Sequence, residues 1–278
     1  MNNLGTLYIV ATPIGNLDDI THRALETLKA VDIIACEDTR HSGRLLANYG
    51  IKNKLMSFHQ HNENESAKKF INLLQEGKNI ALISDAGTPL ISDPGYPLVK
   101  QAHVSGIKVS PIVGASAIIA LLCSSGLPTN EFHFYGFLNP KKTARINQLK
   151  RLSENEGTTV IYESTHRIMA CLLDMQQVFG GQRVVVIGRE LTKTFETIKQ
   201  DSISNIIDFI NSDSNQLKGE FVIAIAGVIQ EQTDILTSSQ KQLAQLLAKE
   251  LPPKKAAKVA AEFLNGKSKD IYNFLIAK

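Results

Sequence analysis

Cysteine is scarce in this chain: Cys36, Cys123 and Cys171 are the only three in 278 residues, far apart and odd in number. No CxxC spacing occurs among them, which argues against a disulfide framework and a zinc knuckle and leaves three small apolar residues expected in buried positions. No apolar run approaches the roughly 18 residues of a membrane span. Met1-Asn2-Asn3 leads directly into the strand-like Leu7-Tyr8-Ile9-Val10 without the charged start of a signal peptide. A soluble, cytoplasmic protein without membrane attachment is therefore expected. Neither GxGxxG nor GxxxxGK[ST] occurs, so a dinucleotide-binding Rossmann fingerprint and a P-loop are both unsupported. Internal repeats and low-complexity tracts are absent as well.

What charge there is lies unevenly. The net charge of +3 is too small to imply a polyanionic partner, but residues 241–278 hold eight lysines against Glu250, Glu262 and Asp270, so the preceding 240 residues are acidic on balance. Such a basic segment suits either a solvated helical face or a nucleic-acid contact surface, where lysines replace counterions on phosphates.

Short β-branched runs alternate with longer amphipathic stretches, the pattern of an α/β protein with parallel strands. Strands are expected at Leu7–Ala11, Ile33–Cys36, Ile80–Ser84 and Val109–Ile112, with helices at Thr21–Leu28, Ser42–Tyr49, Glu65–Gln75 and Tyr96–Ser105 between them. A second series of strands follows at Phe132–Tyr135, Thr158–Tyr162, Val184–Gly188 and Phe221–Ala226. Two α/β domains result, over residues 1–113 and 114–229, with the seam near Ile112–Ser116. Residues 230–278 read as a polar linker and a helical tail. Pro252-Pro253 opens one helix there, Gly266 suits its end, and Ser268 can cap another, which makes a small helix-turn-helix unit.

Several loops after expected strands carry polar or conformationally special residues, where open α/β sheets bind ligands. The first is Ala11-Thr12-Pro13-Ile14-Gly15-Asn16-Leu17-Asp18-Asp19, which reads equally as a turn with an aspartate helix cap. The second, Asp85 to Pro97, combines Gly87, which lets backbone approach a ligand, with Pro89, Pro94 and Pro97, which fix the turn; a rigid crossover with capping aspartates is the alternative. Its acidity suits a neutral or partly cationic ligand better than a phosphate. Val113-Gly114-Ala115-Ser116-Ala117 permits close packing on a flat ligand, or forms a tight turn. If Glu37-Asp38-Thr39-Arg40-His41 and Ser57-Phe58-His59-Gln60-His61-Asn62-Glu63 end neighbouring strands, carboxylates, an arginine and imidazoles meet on one rim. A surface ion pair with helix caps would use the same Glu37, Asp38 and Arg40. His59 and His61 lack a third ligand at diagnostic spacing, so no metal is expected. Tyr162 to Arg167 and Arg189 to Lys193 again crowd charge after strands, and each also suits a solvated face.

Taken together, Thr12-Pro13-Ile14-Gly15-Asn16-Leu17, Glu37-Asp38-Thr39-Arg40, Ile83-Ser84-Asp85-Ala86-Gly87-Thr88-Pro89, Tyr162-Glu163-Ser164-Thr165-His166-Arg167 and Arg189-Glu190-Leu191-Thr192-Lys193 resemble, in order and spacing, the ribosomal RNA small-subunit methyltransferase I group. That group belongs to the tetrapyrrole-methylase-like (class III) methyltransferases, and the resemblance runs from about residue 5 to the C-terminus. It implies a homodimer of two-domain subunits with S-adenosylmethionine in the cleft between the domains, and methyl transfer to the ribose 2′-oxygen of a cytidine in the decoding region of small-subunit (16S) rRNA. By position, Pro13 and Ile14 would lie against the donor, and Asp85, Ala86, Gly87, Thr88 and Ile91 would cradle it. Ala115 and Ser116 would add backbone contacts, and Tyr162 would close the second-domain side. Two departures stand out: Val113 where the wider superfamily often has proline, and Asn139 interrupting the usual run of Gly136-Phe137-Leu138 and Pro140.

Methyl transfer from a sulfonium is an in-line displacement in which positioning matters first and a base or cation second. Glu37 or Asp38 is the expected proton acceptor or hydroxyl-orienting group, Arg40 the anchor for a neighbouring phosphate, and Glu190 and Lys193 are reserves. Two rival functions share much of this pattern: a small-molecule tetrapyrrole methyltransferase, and a non-catalytic RNA-binding ribosome-assembly factor.

Overall fold

Near-continuous apolar runs such as Ile33–Cys36 and Ile80–Ile83 belong to strands buried on both faces. In the computed structural model, which describes residues 4–59, 63–228 and 236–276, both runs are interior strands of a five-stranded sheet. Strands β1 (Thr6–Val10), β2 (Ile33–Cys36), β3 (Lys54–Ser57), β4 (Ile80–Ile83) and β5 (Lys108–Ile112) pair in parallel, in the order β3-β2-β4-β1-β5. Helices α1 (His22–Ala30), α2 (Thr39–Asn48), α3 (Glu63–Gln75) and α4 (Tyr96–Val104) alternate with them. Leu7, Phe70, Leu74, Leu82 and Leu98 fill one core of this lobe, and Val10, Leu28, Ile34, Leu46 and Ile83 another. Each such side chain contributes about 1.5–3 kcal/mol by leaving water. Helix α2 starts three residues before the expected Ser42 because the Asp38 carboxylate caps it, accepting from the Arg40 N–H (2.7 Å) and the His41 N–H (3.4 Å).

The second lobe contains α5 (Ala117–Ser125), β6 (Phe132–Phe137), α6 (Lys142–Leu152), β7 (Thr158–Glu163), α7 (Ile168–Phe179), β8 (Val184–Arg189), β9 (Thr197–Ser202), α8 (Ile203–Ser212) and β10 (Phe221–Ile225). Its sheet runs β6-β7-β10-β8-β9 and corrects the expectation of parallel strands. Only β6 and β7 pair in parallel; β10 is antiparallel to both its neighbours, and β9 is antiparallel to β8. The connection over residues 190–196 explains the last pairing, since a parallel return needs a crossover of a dozen or more residues. Ile161, Leu172, Ile187, Ile206 and Ile223 form one core, and Leu121, Leu122, Val160, Val186 and Val222 the other.

Helix α5 buries Ile118, Leu121 and Leu122 and leaves Ile119 and Cys123 exposed on its opposite face. Cys123 is therefore not the buried apolar residue expected, whereas Cys36 and Cys171 are buried. Within the described residues no helix is long and apolar enough to cross a membrane.

The chain divides between Val228 and Ile229. The C-terminal unit has α9 (Ser238–Leu247), α10 (Pro253–Phe263) and α11 (Ser268–Ile276), closed on Leu236, Ala244, Ala257, Ala260 and Ile271. Thr237 and Gln240 make a reciprocal capping box at α9, and Pro252-Pro253 opens α10. The left-handed residue after α10 is Asn265 (φ 49°), one position before the glycine expected there. Residues 230–235 of the expected linker lie outside the described residues.

Candidate functional site

The loops that follow β1, β4 and β5 leave the same end of the first sheet, as ligand loops do in α/β proteins. Thr12 and Gly87 exchange backbone hydrogen bonds (2.8 and 3.1 Å), and the Thr12 hydroxyl donates to the Ser84 carbonyl at 3.2 Å. Gly87 is left-handed (φ 75°), and a Cβ there would stand 3.2 Å from Ile14 Cγ2. The Thr88 hydroxyl donates to the Ala115 carbonyl at 3.1 Å, which ties the third loop to the second. Beyond Thr88 the backbone is strained: Leu90 (φ 71°) and Ser92 (φ 69°) take conformations that cost a side-chain-bearing residue about 1–3 kcal/mol each.

These loops face the second lobe across a cavity of about 350 Å³, within the range of roughly 300–1,000 Å³ typical of small-molecule sites. Ile14, Ala86, Gly87, Thr88, Ile91 and Ser116 of the expected donor residues line it from the loops, and Tyr162 lines it from β7. Pro13, Asp85 and Ala115 adjoin these positions in the same three loops and are not in the lining. Phe137, Leu191 and Val222 complete an apolar wall, and the Tyr162 ring packs on Phe134 (5.0 Å) and Phe137 (5.5 Å between centroids). The lobes also meet directly: the Asn16 N–H donates to Thr192 Oγ1 at 3.0 Å, and Gly15 packs so closely on Leu191 to Lys193 that no side chain fits.

Titratable groups in the lining are acidic or phenolic, with no lysine or arginine among them. Asp93 is pushed up to about 6, first by burial and then by the charges of Glu37 and Asp85, while Ser84 pulls it down. Burial, with the Asp93 charge added, raises the Tyr162 phenol to about 12. Glu163 and Glu220 are occupied elsewhere: Arg167 sits 2.7 Å from Glu163, and Lys193 lies 3.0 Å from Glu220. Flat apolar walls beside unneutralised carboxylate suit a ligand with a planar ring and a positive centre, and leave no cation to hold a phosphate.

The Glu37–Arg40 cluster lies beside this cavity. Strands β2 and β3 are neighbours with Cys36 opposite Ser57, so Glu37 and His59 do converge, whereas His61 lies outside the described residues. Burial raises the Glu37 carboxyl, Asp85 adds to the rise, and His59 opposes it. Asp38 caps α2 and pairs with Arg40 at 3.3 Å, and these contacts hold its carboxyl below the ordinary range. The Arg40 side chain itself is 87% exposed. Glu190 and Lys193 bind each other at 2.8 Å. Burial pushes Glu190 up and Lys193 down; their mutual hydrogen bond, with Glu220 contributing, outweighs this, leaving the acid lowered and the base raised. Both charges are thus committed to the turn after β8.

Of the two departures in the loops, Asn139 builds an Asx turn: its Oδ1 accepts from the Lys141 N–H (2.9 Å) just before α6, and its own N–H donates to Gln148 Oε1 (2.8 Å). Val113 is exposed, and its carbonyl accepts from the Thr21 hydroxyl at 3.4 Å. Sequence reasoning passed over Asp93 and Phe137 as site residues. Asp93 stood inside the quoted loop, but nothing in the residue pattern distinguished it from Asp85.

Residues 6–207 match the family model for tetrapyrrole (corrin/porphyrin) methylases, and residues 236–278 match that for the RsmI C-terminal HTH domain. Ribosomal RNA small subunit methyltransferase I of Pasteurella multocida is 50% identical over 275 residues, covering 99% of this chain and 98% of its own. The protein of the same name from Haemophilus influenzae is 50% identical over 274 residues, covering 98% and 97%. Among solved structures, a diphthine synthase shares the fold with a TM-score of 0.62 at 15% identity, over 80% of this chain and 90% of its own.

Proposed function

Because the chain belongs to the ribosomal RNA small subunit methyltransferase I family of tetrapyrrole (corrin/porphyrin) methylases, we propose that it methylates the ribose 2′-oxygen of a cytidine in the decoding region of 16S rRNA. The observation that carries the donor half of this reading is the cavity between the lobes, apolar on its walls and acidic without a lysine or arginine. S-adenosylmethionine bound there supplies a methyl group on an electrophilic sulfonium sulfur. Ile14, Ala86, Gly87, Thr88, Ile91 and Ser116 would hold the donor, with Pro13, Asp85 and Ala115 of the same loops completing the donor-binding set beside them. Tyr162 closes the cavity from the second lobe. Holding the ribose oxygen in line with the methyl group supplies most of the rate.

On the acceptor side, Glu37 orients the ribose hydroxyl, while Asp38 fixes the start of α2 and with it Arg40, whose exposed guanidinium takes a neighbouring phosphate. The C-terminal unit, with Lys254, Lys255 and Lys258 exposed on α10, adds a basic surface for RNA. A cytoplasmic homodimer belongs to the same reading; sedimentation should give twice the 30.5 kDa chain mass, and a stable monomer would remove that part.

Mapping 2′-O-methyl groups after incubating the purified protein with labelled donor and small ribosomal subunits tests the assignment. One labelled cytidine in the decoding region is expected, and replacing Lys254, Lys255 and Lys258 by glutamine should weaken the labelling without changing donor affinity. Donor binding without rRNA labelling would shift the assignment to a small-molecule acceptor such as a tetrapyrrole. Salt-sensitive RNA binding without donor binding would shift it to an assembly factor.

A further inference from the structure

Asp93 stands in a different situation from every other carboxylate near the cavity. Asp38 is spent on the α2 cap and on Arg40, Glu220 on Lys193, and Glu163 on Arg167 through Oε1, which neutralises its charge although its buried Oε2 makes no hydrogen bond among the described residues. Glu37 and Asp85 lie behind the lining rather than in it. Asp93 is in the lining itself, and among the described residues no cationic side chain contributes to its titration.

The groups around it come from several elements. Ser84, at the end of β4, lies beside the carboxylate; Glu37 after β2 and Asp85 after β4 add like charge; and Tyr162 faces it from β7. The neighbouring Ser92 reaches the second lobe, where a Cβ on Gly136 of β6 would stand 3.3 Å from its hydroxyl oxygen. The left-handed backbone at Leu90 and Ser92 shapes the loop that places Asp93 at this point, close to β6.

We propose that Asp93 is a catalytic residue that accepts the proton of the acceptor hydroxyl. The inference rests on the methyltransferase reading above. As the acceptor oxygen bonds to the methyl carbon, the carbon–sulfur bond breaks and its electron pair neutralises the sulfonium. The hydroxyl proton passes to the Asp93 carboxylate and leaves to solvent when the products depart. Burial first, and the charges of Glu37 and Asp85 after it, make Asp93 a stronger base than an ordinary carboxylate while leaving it ionised at neutral pH. Glu37, farther back, orients the hydroxyl; Asp93 takes its proton.

The test compares the wild-type protein with Asp93→Asn and Asp93→Glu on small ribosomal subunits, following donor binding by calorimetry and turnover across pH 5 to 8. Asparagine is expected to keep donor affinity within about threefold and to lower kcat by about 10²–10⁴-fold, the usual span for a general base. The rise of wild-type rate with pH through about 6 should vanish in Asp93→Asn. Glutamate should restore part of the turnover together with a pH-dependent rise. Because burial works against the Asp93 charge, the neutral, isosteric asparagine should be tolerated by the fold, and a thermal scan checks this. Asp93→Asn turnover within tenfold of wild type would overturn the inference, as would loss of donor binding in step with turnover, or Asp93→Glu activity no greater than that of asparagine. Wild-type protein that binds donor but never labels rRNA would overturn the functional reading, and the inference with it; the former outcomes leave that reading standing.

Discussion

Gly87→Val is expected to reduce affinity for S-adenosylmethionine by at least about 100-fold while the protein stays folded. A side chain at φ 75° costs about 1–2 kcal/mol through the clash of its Cβ with backbone, more when β-branched. Here the Cβ also meets Ile14 Cγ2 at 3.2 Å, and both residues line the cavity we assign to the donor. The loop cannot swing away without giving up the two backbone hydrogen bonds to Thr12, each contributing about 0.5–1.5 kcal/mol. Gly106 provides the control: its φ is 67°, and nothing lies within 4 Å of the place a Cβ would take. Gly106→Val should therefore show the strain in thermal unfolding and leave donor titration unchanged. Donor binding by Gly87→Val within tenfold of wild type would place the donor elsewhere.

Asp174→Ala is expected to destabilise the second lobe by about 3–5 kcal/mol. Asp174 and Arg145 pair in the interior with both side chains 5% exposed, through contacts of 2.6 and 2.8 Å, and Arg145 also donates to the Pro140 carbonyl at 3.2 Å. Removing one partner leaves a guanidinium buried without its counter-charge, a loss of about 3–5 kcal/mol. Replacing both, as Arg145→Met with Asp174→Leu, should recover most of it, because desolvating the pair offsets most of its attraction. Urea midpoints of the single and double variants check this. A single variant within about 1 kcal/mol of wild type would show that the interior relaxes around the free arginine.

Much of this architecture was readable from residues. Ile33–Cys36, Ile80–Ile83 and Phe221–Ile225 are apolar throughout because both their faces are covered, and each was recognised as a strand. The Asp85–Pro89 run sets glycine and proline beside acid, a composition that suits a ligand loop and a rigid crossover alike, and Ala86, Gly87 and Thr88 line the cavity. Of the four edge strands, β5 and β6 were read and β3 and β9 were not. β3 reads Lys-Leu-Met-Ser, and β9 carries Lys199, Gln200 and Asp201, polar side chains that blunt a sheet edge and also erase its hydrophobic signal. The direction of β10 could not be read at all, since alternation of helix and strand says nothing about which way a strand enters. Asp93 was hidden for a related reason: burial raises its carboxyl first, and the charge of Glu37, distant in sequence, adds to this only once the fold has formed.

The placement of β10 carries a temporal consequence. It is the last strand of its lobe to leave the ribosome, yet it occupies the middle of the sheet, and β7 and β8 touch only through it. The first lobe has all its strands once Ile112 has been made, whereas the second waits with two unpaired inner edges until Phe221–Ile225 emerges. The sheet therefore cannot close before Phe221–Ile225 has been made, and the cavity, which Phe221 and Val222 help to line, cannot be complete earlier.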